Sequence, residues 1–174
     1  MIQQIKSNVW KFSFRKFGSH VYLAKLESHN ILIDASSSSN SEELSENLKE
    51  LGLTSGDINI IIFTHSHWDH TGRTGAFPNS KFYGSKNEFE GDIEDIKNLN
   101  ISELKIIEIP GHSKGGICIL YENILFSGDT IFHRGTIGRT DLPGSSEEDM
   151  KKSLKKLKKI DYKILCPGHG REQK

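Results

Sequence analysis

Short runs of apolar residues, broken by glycine or polar residues, fill the first third of the chain and are typical of β-strands. Such runs lie at residues 9–14, 21–26 and 31–33. The next run, 58–63, is almost wholly apolar, which favours a strand that is covered on both faces. Later runs predict four more strands, at 106–109, Ile117–Tyr121, 124–126 and 163–166.

Two segments instead have apolar residues at helical spacing. The first predicted helix has Ser41 as its N-cap and closes at Gly52. The second begins with a capping box formed by Ser145 and Glu148 and ends near Ile160. Lysines fill the positions between its apolar residues, which predicts a solvated outer face. Strands followed by a helix, twice over, predict one compact α/β unit.

Length, composition and net charge limit the classes of protein to which this chain can belong. The 174 residues predict a single domain over 1–174. We expect no membrane span and no signal peptide, because no apolar run is long enough and the first residues lack the required pattern. The 23 basic and 23 acidic residues give a net charge of zero, which disfavours a nucleic-acid partner. Two widely separated cysteines, Cys118 and Cys166, indicate no disulfide framework and favour a cytoplasmic location.

A segment rich in histidine follows the predicted buried strand. It reads His-Ser-His-Trp-Asp-His at residues 65–70. His65 and His67 are two positions apart, so on an extended backbone their rings point the same way. A turn after them would bring Asp69 and His70 to a neighbouring position. Imidazole and carboxylate ligands suit zinc, and also iron or manganese, so the segment predicts a metal site.

Three more candidate ligands stand beside glycines at the ends of predicted strands. They are His112, Asp129 and His169. Together with residues 65–70 they raise the count to seven, five histidines and two aspartates. That is too many for one tetrahedral ion and suits two adjacent ions that share a carboxylate.

In this order, the motifs HSHWDH, GH, GDT and PGHG resemble the metallo-β-lactamase superfamily over about residues 21–170. The resemblance implies a four-layer αβ/βα sandwich of two mixed β-sheets with outer helices, and a site at one edge. It also implies that one metal is held by His65, His67 and His112. The other would be held by Asp69, His70 and His169, with Asp129 bridging the two.

Segments 126–132 and 138–144 are similar to the hydroxyacylglutathione hydrolase (glyoxalase II) branch and its relatives, the persulfide dioxygenases. This similarity implies that Arg139 stands near the position of the cationic residue that contacts the carboxylate of the thiol cofactor. The alternative is an ordinary surface or salt-bridged arginine. Asp34 is similar to a family aspartate that hydrogen-bonds a ligand, or is a simple loop residue. Only four residues follow Gly170, so we expect no helical C-terminal domain. His20 stands where the family often has asparagine.

Thioester hydrolysis of a small acyl-thiol substrate is the function that the resemblance implies first. Two zinc ions would activate a water molecule, with Asp129 bridging them and Asp69 orienting the hydroxide. The alternative is a persulfide dioxygenase in which His65, His112 and Asp129 hold a single Fe(II). A lactonase or β-lactamase-like hydrolase is a lesser alternative. The sequence carries no signal for the oligomeric state.

One motif suggests a different enzyme class. Residues 111–115 match the GxSxG nucleophile elbow around Ser113, and Asp129 and His169 follow in the order of a serine hydrolase. An elbow needs a helix after the turn, whereas a β-branched run, Ile117–Tyr121, follows here. The serine-hydrolase interpretation also does not explain the histidine-rich segment at residues 65–70. The sequence therefore favours the metal site.

Overall fold

A computed structural model describes residues 1–72 and 74–170. Its larger β-sheet has seven strands in the order β1-β2-β3-β4-β5-β6-β7. Strands β1 to β4 pair antiparallel, and β4 to β7 pair parallel. Their bounds are Ile2–Lys6, Val9–Phe12, Val21–Lys25, Asn30–Ile33, Ile60–Ile62, Lys81–Gly84 and Glu94–Asp95.

The smaller sheet is also mixed and has the order β11-β10-β9-β8. Strands β8, β9 and β10 pair antiparallel, and β11 lies parallel to β10. Their bounds are Leu104–Glu108, Ile117–Tyr121, Ile124–Gly128 and Ile164–Pro167. A backbone hydrogen bond from Ile117 to the Thr64 carbonyl (2.9 Å) joins the start of β9 to the loop after β5. The two sheets therefore meet at the edge where the histidine-rich segment begins.

Two α-helices lie at Ser41–Glu50 (α1) and Glu147–Leu157 (α2). Both predicted N-caps are wrong by one residue. The N-cap of α1 is Asn40, and Ser41 is the first helical residue. The N-cap of α2 is Ser146, whose hydroxyl accepts the backbone N–H of Asp149. In the described part of the chain, no helix is long and apolar enough to cross a membrane.

Three apolar clusters separate the layers. The central cluster joins the two sheets and includes Ile33 and Ile62 from one and Ile119 and Phe126 from the other. A second cluster packs Leu44 and Leu48 of α1 against the outer face of the larger sheet. The third packs Leu157 of α2 against the smaller sheet. The order is helix, sheet, sheet, helix, which confirms the predicted four-layer αβ/βα sandwich.

Strands β1, β6 and β7 were not predicted. Strand β1 has one buried residue among five, and β7 has two residues. Neither has the apolar alternation that marks a half-buried strand. Both lie at the edges of the larger sheet, where few side chains need to be apolar.

Candidate metal centre

The loop after β5 carries four of the predicted ligands and is held by backbone hydrogen bonds. Ala35 donates to the His70 carbonyl (2.8 Å), and Ser19 donates to the Asp69 carbonyl (2.9 Å). Within the loop, the N–H of His70 donates to the His67 carbonyl at 2.9 Å, which closes the expected turn. The loop position is therefore fixed from two sides.

Three imidazoles converge at one end of the site. Nε2 of His65 lies 3.1 Å from Nδ1 of His67, and Nε2 of His112 lies 3.0 Å from the same atom. Zinc–nitrogen bonds of about 2.0–2.1 Å in a tetrahedron separate the nitrogens by about 3.3 Å. The spacing of these three rings is thus close to that of ligands around one ion.

A second group forms around two carboxylates. Nε2 of His169 lies 3.2 Å from Oδ2 of Asp69 and 3.4 Å from Oδ2 of Asp129. Nε2 of His70 lies 3.3 Å from Oδ1 of Asp129. Asp129 also faces the first group, because its Oδ2 is 3.7 Å from Nε2 of His112. Asp129 therefore lies between the two groups of potential ligands.

Hydrogen bonds behind the rings orient two of these histidines. Nδ1 of His112 donates to the backbone carbonyl of Arg139 (2.9 Å), which directs Nε2 into the site. Nδ1 of His70 lies 2.7 Å from Oδ2 of Asp34, and this contact directs Nε2 of His70 into the site. Such partners fix the tautomer and orientation of metal-binding histidines. The hypothesis that Asp34 hydrogen-bonds a candidate ligand is confirmed.

Burial and charge shift the pKa values of the cluster in opposite directions. Burial lowers the pKa of His65 well below its ordinary value. Burial would also lower the pKa of His70, but the carboxylates of Asp34 and Asp129 outweigh it and raise that pKa to about 10. Burial alone would raise the pKa of Asp129, yet the neighbouring imidazoles of His169 and His70 hold it far below its usual range. Asp129 is therefore a carboxylate at any physiological pH.

Two buried polar atoms of this cluster, which lie 3.3 Å apart, would suit a bound cation. Nε2 of His70 and Oδ1 of Asp129 are buried and have no hydrogen-bond partner among the described residues. A buried polar atom without a partner costs about 1–3 kcal/mol, so this pair calls for a ligand. The other donors nearby are imidazoles and carboxylates, which are ligands that zinc and iron accept. The residues present therefore fit divalent metal ions.

Five of the seven potential ligands line an open cavity of about 850 Å³: His67, Asp69, His112, Asp129 and His169. Small-molecule sites usually measure roughly 300–1,000 Å³, so a metabolite-sized substrate would fit. The walls are mainly apolar, and Trp68 stands at the mouth. The cavity gives a small molecule direct access to His67, Asp129 and His169.

Comparison with known families agrees with this geometry. The profile of the metallo-beta-lactamase superfamily matches residues 15–86 and 76–169. The chain belongs to the metallo-β-lactamase superfamily.

Two curated relatives illustrate which members of this superfamily the chain is similar to. The probable metallo-hydrolase MJ0296 of Methanocaldococcus jannaschii is 34% identical over 143 residues, covering 80% of this chain and 70% of the relative. Hydroxyacylglutathione hydrolase 1 of Vibrio vulnificus is 33% identical over 158 residues, covering 83% of this chain and 59% of the relative. The chain thus spans about 60% of the length of the hydroxyacylglutathione hydrolases that it matches.

Solved structures share the fold at low identity. A metallo-beta-lactamase from Pontibacter korlensis superposes with a TM-score of 0.82 at 18% identity, covering 99% of this chain and 92% of that chain. TTHA1623, solved in a di-iron-bound form, gives a TM-score of 0.81 at 22% identity and covers 94% and 93%. At these identities the likeness shows the metallo-β-lactamase fold alone.

Arg139 lines the cavity and is also salt-bridged to Asp141. Its Nε and a terminal nitrogen each lie 2.9 Å from an oxygen of Asp141. Its main chain has a separate role, since its carbonyl oxygen orients His112. Gly138 fits beside it because a Cβ there would overlap the backbone oxygen of Asp129. Sequence reasoning considered the side chain and missed the carbonyl.

The nucleophile-elbow alternative does not match this metallo-β-lactamase fold. Strand β9 follows residues 111–115, where an elbow needs a helix. The Ser113 hydroxyl is buried and does not line the cavity, whereas the neighbouring His112 does. The structure therefore gives Ser113 no access to a substrate in this cavity.

Glu88 is a residue of the site that sequence reasoning missed. One carboxylate oxygen accepts the N–H of Ser66 (2.6 Å), and the other accepts the N–H of Gly115 (2.7 Å). These amides belong to the loop with His65 and His67 and to the loop with His112. Glu88 therefore ties the two loops together, and no motif around it signals this role.

Proposed function

We propose that this metallo-β-lactamase superfamily member is a metal-dependent hydrolase that cleaves the thioester of a small acyl-thiol metabolite. The observation that carries the proposal is the position of Asp129, between the His65–His67–His112 group and the Asp69–His70–His169 group. We assign two Zn²⁺ to these groups, with iron or manganese as substitutes. Relatives named hydroxyacylglutathione hydrolase support the thioester class.

The residues of the site have separate roles in the proposed hydrolysis. Two bound divalent ions would lower the pKa of a water molecule toward neutrality and polarise the carbonyl of the substrate. Asp129 contributes a fixed negative charge, because its pKa is far below its usual range. Asp69, 3.2 Å from His169 and open to the cavity, is placed to accept a hydrogen bond from the attacking water. The thiolate leaving group needs no protonation, so no general acid is required.

Arg139 is the residue that we assign to the thiol carrier. Its guanidinium lies at the cavity wall and is exposed, so a carboxylate of the carrier can reach it. The pairing with Asp141 leaves the charge in place and presets the direction of the side chain. We further propose a cytoplasmic location, which suits a chain whose two cysteines, Cys118 and Cys166, form no disulfide.

Metal analysis combined with a thiol-release assay tests the proposal. The protein is purified without added metal and assayed with S-lactoylglutathione and with acyl thioesters of N-acetylcysteamine. We expect two divalent ions per chain and release of free thiol that stops on chelation and returns with Zn²⁺. A single iron per chain, with oxygen uptake in the presence of a persulfide, would overturn the proposal in favour of the dioxygenase alternative. Activity from fully metal-free protein would also contradict it.

A further inference from the structure

Exposed apolar side chains are concentrated at the mouth of the cavity. Among the described residues, the large hydrophobic side chains that are exposed are Met1, Phe17, Trp68 and Ile137. Three of these four line the cavity, with exposed fractions of 68% for Phe17, 66% for Trp68 and 44% for Ile137. Isolated exposed hydrophobic residues are common on proteins, but contiguous ones mark a binding surface.

These side chains come from separate loops and line the same cavity as five of the candidate ligands. The rings of Phe17 and Trp68 are 5.7 Å apart between centroids. Phe17 also stacks on the ring of His169, at 5.7 Å and an interplanar angle of 21°. Phe132 approaches the same imidazole at 6.4 Å. The aromatic wall therefore begins at a candidate ligand and extends outward to solvent.

The wall offers little to a polar substituent. Apart from the candidate ligands, Arg139 is the charged residue among those that line the cavity, and the proposed function assigns it to the thiol carrier and not to the acyl group. The remaining lining side chains are apolar, and they include Leu142 and Pro143 beside Ile137. A group that enters along this wall gains by leaving water only if it is itself apolar.

We propose that the cavity selects acyl thioesters whose acyl group is apolar, an aliphatic chain or an aromatic ring, which packs on Phe17, Trp68 and Ile137. The inference rests on the proposed function, since it assigns the substrate class of the same site. The wall is continuous with His67, Asp69 and His169 in one cavity, so an acyl chain lying on it keeps its carbonyl near the candidate ligands. Small polar hydroxyacyl groups leave this wall exposed to water and are poorer substrates.

Binding of compounds that cannot be hydrolysed tests the wall without turnover. The chain has two tryptophans, and Trp10→Phe leaves Trp68 as the sole tryptophan, whose emission can be excited selectively over that of the tyrosines. The metal-loaded variant is titrated with S-ethyl, S-butyl, S-hexyl and S-octyl thioethers of N-acetylcysteamine. We expect a blue shift of the Trp68 emission and a Kd that falls two- to fourfold per methylene, the upper figure corresponding to roughly 0.8 kcal/mol per buried CH₂. Equal Kd values across the series would overturn the inference.

Substitutions in the wall give a second measurement. Phe17→Ala and Ile137→Ser act on exposed side chains, so the core is unchanged. We expect each to reduce the ratio of kcat/KM for octanoyl over acetyl N-acetylcysteamine at least tenfold, while the metal content stays the same. Lys16→Ala, an exposed neighbour outside the cavity, is the matched control and should keep the wild-type ratio. An unchanged ratio in both wall variants would overturn the inference.

The two proposals fail in different ways. A Kd gradient for the thioethers without any thioester hydrolysis would contradict the proposed function and uphold the apolar subsite. Hydrolysis that is indifferent to acyl chain length would uphold the function and overturn the apolar subsite. The binding and rate measurements therefore separate them.

Discussion

Asp34 and His70 are 36 positions apart in the sequence, yet Oδ2 of Asp34 lies 2.7 Å from Nδ1 of His70. Asp34 reaches this place with φ of 61°, a left-handed conformation that is uncommon for residues other than glycine. Thr64 holds the carboxylate there, through its N–H (2.8 Å) and its hydroxyl (2.9 Å). Asp34 thus links the end of β4, the end of β5 and a candidate metal ligand.

Asp34→Asn should weaken the metal group that contains His70. The amide keeps the shape but removes the negative charge behind the imidazole, and losing such a partner costs about 10–100-fold in metal affinity. Zinc titration against a chromophoric chelator should show one of two binding steps weakened by that factor. Asp161→Asn, an exposed aspartate outside the site, is the control. Two unchanged binding steps would show that Asp34 does not support the ligand.

The clamp formed by Glu88 predicts a graded effect on the other metal group. Glu88→Ala removes the acceptors for the amides of both Ser66 and Gly115, and we expect about tenfold weaker binding, at the low end for such partners. Glu88→Gln keeps one acceptor oxygen and should be intermediate. Co²⁺ absorption reports the geometry of the His65–His67–His112 group directly. Glu90→Ala, an exposed neighbour, should leave the spectrum unchanged, and an Ala variant with the wild-type spectrum would refute the clamp.

Much of the fold could be predicted because the inner strands consist of apolar residues. Both faces of β5 are covered, so its three isoleucines were recognisable as a buried strand. The start of α2 could not be fixed from the sequence, because Ser145 and Ser146 are both good N-caps. Tertiary contacts decide between them: the N–H of Ser146 donates to the Gly111 carbonyl (2.7 Å), and the Ser145 hydroxyl donates to Leu142 (2.6 Å).

The ligands of the candidate site could be predicted for a similar reason. Histidine and aspartate are uncommon residue types with recognisable spacing at strand ends, and the structure brings all seven together. The Arg139 carbonyl behind His112 could not be predicted, because any residue type has a carbonyl. Trp68 could be considered as a pocket wall from the sequence, but its pairing with Phe17 could not be predicted, since the two residues become neighbours only when separate loops meet.

Raised pH should destabilise the metal-free protein and favour metal binding. Burial lowers the pKa of His70 and His169, but their carboxylate neighbours outweigh it and raise these values to about 10 and about 9, against 6.5 when unfolded. The resulting ion pairs stabilise the metal-free fold fully below pH 6.5, and this contribution is lost as pH rises through 9 to 10. Zinc displaces the same protons, so its affinity rises over this range.

Thermal unfolding of the metal-free protein, prepared with a chelator, and of the zinc-loaded protein between pH 6.5 and 9.5 tests this pH dependence of stability. The difference in Tm between the two forms should widen as the pH is raised. Asp34→Asn removes one of the two carboxylates that raise the pKa of His70, so the metal-free variant should lose less stability with pH. A Tm difference that is constant with pH would contradict the assignment of charge to His70 and His169.

Ser113→Ala tests the serine-hydrolase alternative. The Ser113 hydroxyl is buried without a hydrogen-bond partner among the described residues, so removing it leaves no other group unpaired. We expect thioester hydrolysis within about twofold of the wild-type rate, because loss of an unpaired hydroxyl is close to neutral. His112→Ala, one position earlier, should lose both metal and activity. Loss of hydrolysis in Ser113→Ala with its metals still bound would restore the nucleophile-elbow reading.

Gly168→Ala should damage the site without a change in charge. Gly168 packs so closely that a Cβ would overlap Oδ1 of Asp129 and lie 2.7 Å from Cε1 of His70. Either side chain must shift, and Asp129 is the carboxylate that both metal groups share in our proposal. We expect less than the full complement of zinc and at least a tenfold lower kcat, since a displacement of about 1 Å can cost about 10²-fold in rate.

The matched control for this change is Gly75→Ala. Apart from its chain neighbours, no described residue has an atom within 4 Å of a Cβ built at Gly75, so the same added methyl group should leave zinc content and kcat unchanged. Circular dichroism on both variants separates a local shift at Asp129 from unfolding, because β10 and β11 remain paired in the first case. Full zinc content and wild-type kcat in Gly168→Ala would mean that the position of Asp129 does not control the site.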